Sequence, residues 1–574
     1  MNKNKLIQIV VGVFISLTFF LIIEVSLRLT GNSEEITVFK EYKADTSYLV
    51  FNPEISKRIF YNKDEALLPQ IDPFKKNKKS NTLRIFVLGA STAYGFPFTH
   101  NTSFPRILER SLSDSYEGIV EIINLSLTGI NSYTLQELSE SLIHQKADAV
   151  LIYAGHNEFY GVHGVASSYS LTRNSYVKQF ILNLKKLKTY DLLRKLLITK
   201  NKIKKNQKNL MQKLSSEQLI DKKEALFEDG VDQFKTNLSA LVKTLSDHQI
   251  PIYIGTLSSN LLQPPLDHSA TQRTTFLSLE LYNQGMKKLE KNDIQKGIQL
   301  LHRAKEEDQL RFRAPKAFND IILNLKNPYV TIVDLESVFQ SDSVFINKEN
   351  YFLEHVHPNI KGYYLMAFEF HNSIAKHMRF SNNSKIAKSS SYTNYYDTYS
   401  THTTMLDSIY GHLLTDRLLT QWPFYQTSES EYHDQSIEYD LANKMLSHQL
   451  NWVQAMDLYY RKSIENQQYD KARQVALSLM QEIPISDQPI KYYLNALQSL
   501  DSFDEILDFA ISYVALEDPD FQLISTYVIA AFQNNPDIKS LEDFIMVNEM
   551  VLGEFGNYLS NLLITRKEAE ISVK

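Results

Sequence analysis

Hydrophobic and polar positions follow three different patterns along this chain. Residues 6–23 form one long, mostly apolar run. Between about residues 84 and 380, short runs of aliphatic residues alternate with stretches whose apolar residues recur every three or four positions. After residue 430 only the wider spacing remains. Short runs are typical of buried strands and the wider spacing of helices, so the chain is predicted to contain an N-terminal helix, an α/β region and a C-terminal helical region.

The N-terminal run is long enough to span a membrane. It extends from Leu6 to Ile23, and Lys3 and Lys5 precede it. A helix crosses the hydrocarbon core with about 20 apolar residues. A cleaved signal peptide is the alternative, but the chain after Ile23 lacks the small residues of a cleavage site. The pattern predicts an uncleaved transmembrane anchor over residues 1–30, and the lysines on its short side place the rest outside the cytoplasm, on the periplasmic side of the cell membrane.

The α/β region contains short apolar runs that predict the strands of one sheet. These runs cover residues 85–88, 119–124, 147–155, 250–260 and 329–336. Stretches with helical spacing separate them, and strands that alternate with helices form parallel sheets with helices on both faces. A polar, membrane-proximal segment over residues 31–80 is expected to lead into the first strand.

Two insertions with helical spacing interrupt the sheet pattern, at about residues 165–245 and 270–325. Part of the first, residues 177–210, is rich in lysine, with leucine and isoleucine at helical positions. It is interpreted as a solvated pair of amphipathic helices, and contact with an anionic membrane surface is the alternative. In the second insertion, Gly285 and Gly297 have the spacing at which tetratricopeptide helix pairs place small residues.

The composition changes again after the α/β region. Residues 381–430 are rich in serine, threonine, tyrosine and asparagine and are predicted to be a linker. In residues 431–574, aromatic or aliphatic positions such as Tyr469 and Phe503 recur after about 34 residues, which is the tetratricopeptide period. This predicts a helical repeat domain that binds a protein partner, and a plain helical cap is the alternative.

Composition excludes several kinds of chemistry. The 574 residues contain no cysteine, which excludes disulfides, thiolate metal sites and cysteine nucleophiles. The formal net charge of −5 does not indicate a nucleic-acid partner. Glu354, His355 and His357 are potential metal ligands, but a His-x-His pair without a further ligand motif does not define a metal site. No metal and no cofactor is therefore expected.

The candidate chemistry lies where the predicted strands end. Ser91 follows the first strand, Gly129 the second and Asn157 the third. Glu354 and His357 precede the last helix of the α/β region. Parallel strands open at their carboxyl ends onto one crevice, so these residues are expected to converge. A hydroxyl, an imidazole, a carboxylate and N–H donors suit acyl transfer, whereas Ser91 alone would be interpreted as a helix cap.

Four short motifs, in this order, resemble the blocks of the SGNH hydrolases, the GDSL esterase and lipase superfamily. The first block, Gly-Asp-Ser in many members, appears as Gly-Ala-Ser at residues 89–91. Gly129 matches the glycine of the second block, Gly-His-Asn-Glu at residues 155–158 matches the third, and Glu-His-Val-His at residues 354–357 matches the Asp-x-x-His block. With the helical repeats, these motifs are similar to those of membrane-anchored bacterial members. The resemblance implies a flavodoxin-like, three-layer α/β/α domain with a parallel sheet over residues 81–380.

The resemblance also implies a role for each matched residue. Ser91 is the expected nucleophile, His357 its general base and Glu354 the acidic member of the triad. The expected oxyanion hole consists of the backbone N–H groups of Ser91 and Gly129 and the side-chain amide of Asn157.

Two departures from the family pattern bear on the triad. Ala90 replaces the aspartate of the first block. Glu354 replaces an aspartate, so its longer side chain needs a slightly displaced backbone, and a backbone carbonyl is the alternative partner for His357. His355 is the alternative base. An α/β-hydrolase is disfavoured, because in that fold the acid and the histidine come from separate loops.

Together these observations predict an extracytoplasmic serine esterase that hydrolyses carboxylic esters of an acylated carbohydrate or lipid. One alternative is an O-acyltransferase that uses the same residues to modify envelope polysaccharide. Another is a non-catalytic scaffold that binds partners through its helical repeats. Adjacency to the motifs suggests pocket residues, namely Tyr94, Phe96, Phe98, His156, Phe159, Tyr160 and Asn260.

Overall fold

The computed structural model divides the chain into two compact units. The first comprises Met1–Tyr396 and Leu414–Ser430, and the second Asp397–Leu413 and Glu431–Lys574. The structure describes residues 3–30, 36–60, 68–168, 170, 172, 177–178, 181, 184, 187–190, 192, 209–215, 217–271, 276–346, 350–378, 391–426, 435–514, 519–535 and 540–572. Most of the lysine-rich segment 177–210, and with it the predicted helix pair, lies outside these residues.

The prediction of a transmembrane anchor at the N-terminus is wrong. A helix does form there, over Lys3–Leu29, but none of the helices among the residues just given is long and apolar enough to cross a bilayer. Small or polar residues interrupt its apolar run, namely Gln8, Gly12, Ser16 and Thr18. Its last turns carry Arg28 and a buried Glu24, which form an ion pair with an N–O distance of 2.7 Å. Glu24 also accepts hydrogen bonds from the backbone N–H and the hydroxyl of Thr189. The extracytoplasmic location stays a prediction.

A small antiparallel sheet precedes the α/β region. Its strands are β1 (Phe39–Glu41), β2 (Tyr48–Phe51) and β3 (Phe74–Lys75), in that order, with a short helix at Ile55–Ile59 between the last two. Arg84 of the next strand is buried and joins this sheet to the central one. Its Nη2 donates to the Lys75 carbonyl oxygen (2.6 Å), and its Nε donates to Glu121 (2.7 Å).

The central sheet has the predicted parallel architecture. Its strands are β4 (Thr82–Gly89), β5 (Ile119–Asn124), β6 (Ala149–Tyr153), β7 (Ile252–Gly255) and β8 (Val330–Val333). They lie in the order β5-β4-β6-β7-β8, and every neighbouring pair is parallel. All residues of β4 are buried, as expected for a strand covered on both faces. The order is that of flavodoxin-like folds, with its switch point between β4 and β6.

Helices cover both faces of this sheet. The chain moves from β4 outward to β5 and then back across β4 to β6, so right-handed crossovers place the helices Phe104–Ser113 and Ser132–Leu142 on opposite faces. Ile360–His377 packs against the first of these helices, and Ala225–Asp247 against the second. The result is a three-layer α/β/α unit.

Further helices of this unit lie in its insertions and connections. They are Ser91–Tyr94, Leu210–Ser215, Leu266–Thr271, Leu277–Glu290, Ile294–Glu307, Lys316–Leu323, Leu335–Phe339 and Asp342–Ile346. The helix Tyr392–Tyr399 contains the unit boundary after residue 396. The helices that begin at Leu277 and Ile294 pack closely at two glycines. A Cβ at Gly285 would lie only 3.2 Å from the Gly297 carbonyl oxygen.

The second unit is α-helical in the part that the structure describes. Its helices include Ile437–Leu446, Trp452–Glu465, Tyr469–Glu482, Gln488–Ser499, Phe503–Val514, Phe521–Asn534, Leu541–Val547 and Glu549–Ser572, and the helix Met405–Leu419 contains the unit boundary after residue 413. Tyr469 and Phe503, which recur in the sequence, each begin a helix, and Ala472 and Ile506 one turn later are buried. The tetratricopeptide assignment and the partner-binding role stay predictions.

Candidate active site

Ser91 lies on a tight turn between β4 and a one-turn helix. The strand ends at Gly89, where a Cβ would lie 2.9 Å from the Tyr153 carbonyl oxygen, so only glycine fits. The helix ends at Gly95, whose φ of 100° is in the left-handed region. Its capping position is Ala90, which has no side-chain oxygen. Ser91 is therefore not the helix cap that the sequence left as an alternative.

The side chain of Ser91 is hydrogen-bonded to His357 instead. Ser91 Oγ lies 2.8 Å from His357 Nε2, and His357 Nδ1 contacts Glu354 Oε1. A carboxylate at Nδ1 fixes the proton on that nitrogen, so Nε2 is left as the acceptor for the serine hydroxyl. Glu354 and His357 are both buried. The structure thus brings together the three residues that the sequence proposed for the triad.

The loop around Glu354 shows how a glutamate reaches the imidazole. Its carboxylate accepts the backbone N–H of His357 (3.0 Å) and, less closely, that of Val356 (3.3 Å). The Glu354 side chain therefore folds back against the backbone of its own loop, and its carboxylate lies next to the His357 imidazole. The contact of His357 Nδ1 with this carboxylate also replaces the backbone carbonyl considered as an alternative partner.

An aromatic contact and burial set the state of His357. The ring centroids of Phe96 and His357 lie 4.8 Å apart. The hydroxyl of Tyr363 donates a hydrogen bond to the Phe96 carbonyl oxygen (2.5 Å). Burial lowers the pKa of His357 below its ordinary value. The ring is therefore neutral near pH 7, which is the form that a general base requires.

His355, the alternative base, occupies a different environment. Its ring packs against Phe312 and Phe424, with centroids 6.1 and 5.3 Å away. Its Nδ1 lies against Glu354 but is not aligned for a hydrogen bond. Of the two histidines, His357 is the one bonded to Ser91. In the part of the chain with assigned positions, no group of three or more histidine and acidic side chains is arranged to hold a metal ion.

The other two candidate oxyanion donors come from neighbouring loops. Gly129 has a φ of 74°, and its carbonyl oxygen accepts the N–H of Val162 (2.9 Å). The Asn157 carbonyl oxygen accepts the N–H of Gly161 (2.6 Å), and its side chain is half-buried. Both bonds engage backbone carbonyl oxygens, and among the described residues no hydrogen bond is seen from the Gly129 N–H or from the Asn157 side-chain amide.

The residues suggested as a pocket by adjacency divide into two groups. Phe96 contacts His357, and the backbone N–H of Asn260 donates to the His355 carbonyl oxygen (2.9 Å). Phe159 instead stacks on Phe227 and Phe318 in the core. Tyr160 also lies in the core, where it packs against Phe312 and donates its hydroxyl to the Gln218 carbonyl oxygen.

Sequence reasoning missed the aromatic support behind the His355 ring. Trp422 and Phe424 are both buried, and they pack on Phe312 and His355 respectively. Asn209 also donates to the Trp422 carbonyl oxygen at 2.5 Å. The segment around Trp422 is far from the motifs along the chain, and no periodicity or spacing links it to them.

Among the comparisons with known proteins, the match to a protein-family model identifies the family. A comparison with curated protein sequences found no match. Similar solved structures include a lipase, Lip_vut3, from a goat rumen metagenome (14% identity, TM-score 0.27, covering 51% of this chain and 97% of that one). A catalytic mutant of the acetylxylan esterase Axe2 from Geobacillus stearothermophilus is similar too (14% identity, TM-score 0.27, 52% and 96%). A third is a GDSL-like lipase from Bacteroides thetaiotaomicron (11% identity, TM-score 0.29, 53% and 93%). Residues 85–370 match the family model for GDSL-like lipase/acylhydrolase. The chain therefore belongs to the GDSL-like lipase/acylhydrolase family, as its motifs predicted, and it is a serine hydrolase of carboxylic esters.

Proposed function

We propose that Ser91, His357 and Glu354 are the catalytic triad of this esterase. The observation that carries the proposal is the 2.8 Å hydrogen bond between Ser91 Oγ and His357 Nε2, on a ring whose Nδ1 meets a buried carboxylate. A nucleophile within hydrogen-bonding reach of a base, with the base oriented by a third group, is the arrangement that activates serine.

Acylation is the first half of the proposed reaction. Ser91 Oγ attacks the ester carbonyl carbon while its proton moves to His357 Nε2, and Glu354 stabilises the imidazolium that forms. The carbonyl oxygen becomes an oxyanion, which accepts hydrogen bonds from the Ser91 N–H, the Gly129 N–H and the Asn157 amide. His357 then returns the proton to the alcohol oxygen as the carbon–oxygen bond breaks. The products are an acyl-serine and a free alcohol.

Deacylation repeats these steps with water. His357 removes a proton from water, the oxygen attacks the acyl carbon, and the same three donors stabilise the second oxyanion. Collapse of this intermediate breaks the bond to Ser91 Oγ, which regains its proton from His357. A carboxylic acid leaves. We propose that the substrate is an ester of a carbohydrate or a lipid, the two classes suggested by the family resemblance.

Replacement of the nucleophile tests the proposal. In the full chain, Ser91→Ala is expected to lower kcat for p-nitrophenyl acetate by at least about 10⁴-fold. Ser463→Ala is the matched control, because Ser463 is a buried serine of the second unit. Unchanged turnover in Ser91→Ala would refute the triad. Repeating the assay of the wild-type protein with added oligosaccharide separates hydrolysis from acyl transfer, since a transferase would yield the acylated sugar in place of the free acid.

A further inference from the structure

We infer that Glu158 is a positioning residue for the oxyanion hole, held in place by Ser132 and Gln233. This inference rests on the proposed function, because it assigns Glu158 a role only if Asn157 and Gly129 are oxyanion donors. Glu158 follows Asn157 directly in the chain. It touches neither Ser91 nor His357 through any hydrogen bond seen among the described residues, so its influence on the reaction must pass through its neighbours.

Glu158 is a fully buried carboxylate with hydrogen-bond donors on both oxygens. The backbone N–H of Ser132 donates to Oε2 (3.1 Å), and the Ser132 hydroxyl donates to Oε1 (2.6 Å). Gln233 Nε2 donates to Oε1 as well (2.5 Å). All these partners are donors, which is the set that an ionised carboxylate needs. A buried carboxylate satisfied in this way is held in one orientation, because any rotation would leave a polar group unpaired.

A buried lysine, Lys178, lies near Glu158, with the Gln233 side chain between them. Lys178 Nζ donates to Gln233 Oε1 (3.0 Å) and to the His163 carbonyl oxygen (2.7 Å), and Lys178 is itself buried. Gln233 therefore bridges the ammonium and the carboxylate. Glu158 also lies at the N-terminus of the helix Ser132–Leu142, where the helix dipole favours a negative charge.

These contacts connect the two loops that carry the oxyanion donors. Ser132 comes three residues after Gly129, and Glu158 comes one residue after Asn157. The hydrogen bonds between Glu158 and Ser132 therefore join the two loops near both donors. Val162, farther along the second loop, adds a backbone link to Gly129.

Gly161 shows how closely the two loops approach. A Cβ at this position would lie 2.6 Å from the Asn157 carbonyl oxygen and 3.0 Å from that of Gly129. The loops therefore pass each other at a residue without a side chain. Catalytic donors lose much of their effect when they are displaced by about 1 Å, so a link that fixes one loop against the other bears directly on the rate.

The test compares rate constants per active site in the full-length protein. The variants are Glu158→Gln, Asn157→Ala, the double variant, and Glu438→Gln as the matched control. Glu438 is a buried carboxylate of the second unit that accepts hydrogen bonds from Tyr459 (2.8 Å) and Lys471 (2.7 Å). Active sites are counted with a fluorophosphonate, and kcat and KM are measured for p-nitrophenyl acetate.

We expect Glu158→Gln to lower kcat by about 10- to 100-fold and to change KM by less than about twofold, because a misplaced oxyanion donor weakens only transition-state binding. In the Asn157→Ala background the same substitution should cost less than about threefold, since one of the two donors that it positions is already absent and only the Gly129 N–H is left to be displaced. Glu438→Gln should leave kcat unchanged.

Two results would overturn the inference. One is an unchanged kcat per titrated site in Glu158→Gln together with a lower unfolding midpoint, which would make Glu158 structural only. The other is full additivity with Asn157→Ala. If Glu158→Gln does not fold, Gln233→Met removes one donor and the bridge to Lys178, and a kcat loss of about threefold or more at unchanged KM is expected. Failure of the proposed function has a different signature, namely full activity in Ser91→Ala.

Discussion

Glu354 contacts two histidines, but only one of them meets Ser91. His357 Nε2 is bonded to the serine hydroxyl, whereas the ring of His355 packs against Phe424. The Glu354 carboxylate also accepts backbone N–H groups of its own loop. At the scale of single residues, the backbone of this loop therefore holds the Glu354 carboxylate and places the His357 ring, and not that of His355, within hydrogen-bonding distance of Ser91.

Substitution of each histidine in turn separates their roles. His357→Ala is expected to lower kcat by at least about 10³-fold, because the base is lost. His355→Ala should lower kcat far less but reduce the free energy of unfolding by about 1–3 kcal/mol, since it removes a buried ring. Esterase assays and urea unfolding measure both effects. Equal losses of kcat in the two variants would contradict the assignment.

The burial of these rings also predicts a pH dependence. Burial lowers the pKa of His156, His355 and His357 below the ordinary 6.5. The neutral form of His357 is the active one, so kcat/KM should be constant above pH 6.5 and fall only at lower pH. The unfolded chain takes up protons first as the pH drops below 6.5, so stability should decrease there by up to about 1.4 kcal/mol per pH unit for each ring.

A pH profile of kcat/KM between pH 4 and 9, with urea unfolding at the same pH values, measures both trends. An acid limb centred above pH 6.5 would show that Glu354 outweighs burial at His357. A free energy of unfolding that rises on acidification below pH 6.5 would contradict the assigned burial of the three rings.

At the scale of elements, function depends on how β4 turns into the helix that carries Ser91. The strand approaches its neighbours so closely at Gly89 that a side chain would collide with β6. The helix lasts one turn and ends at Gly95 in a left-handed conformation. These two glycines fix where the nucleophile is presented.

Gly95→Ala tests this turn. The new Cβ would lie 2.7 Å from Ser103 Cβ at a φ that L-residues rarely adopt, so the free energy of unfolding should fall by about 1–3 kcal/mol. The turn should also shift, and kcat should fall with it. Gly12→Ala is the control, because a Cβ there would meet nothing within 4 Å. Equal stability of the two variants in urea would show that the turn is not strained by a side chain.

The elements of the catalytic unit were largely predictable from sequence. Every strand of the central sheet overlaps a predicted apolar run, although β4 extends beyond its run at both ends. The strand-end positions of Ser91, Gly129 and Asn157 follow from the order of the elements. The aromatic support from Trp422 and Phe424 was not predictable, because it depends on a contact across a long separation in sequence. Buried links such as those of Glu158 also leave no periodic signal.

At the scale of the whole molecule, apolar content misled the prediction at the N-terminus. The segment does form a helix over Lys3–Leu29, but small and polar residues interrupt its apolar run and an ion pair between Glu24 and Arg28 lies in its last turns. The helical character of the second unit was predictable from its spacing. The boundary of the second unit was less predictable, because the chain returns to the first unit over Leu414–Ser430.

The two tryptophans of the chain report on the two units separately. Trp422 belongs to the first unit, and Trp452, whose Nε1 donates to Asp407 (2.8 Å), belongs to the second. If the units unfold independently, adding Gly95→Ala to Trp452→Phe should lower the urea midpoint seen by fluorescence. Adding it to Trp422→Phe should leave the midpoint unchanged. A shift of both signals would show that the two units unfold as one.

Covalent labelling tests the central claim most directly. The intact protein is treated with a fluorophosphonate, digested, and mapped by mass spectrometry, with Ser91→Ala treated in parallel. We predict one phosphonylated site, on the peptide that contains Ser91, with esterase activity lost in proportion to labelling and no adduct in Ser91→Ala. Labelling of a different serine, or inactivation that persists in the absence of an adduct on Ser91, would contradict the assignment of Ser91 as the nucleophile.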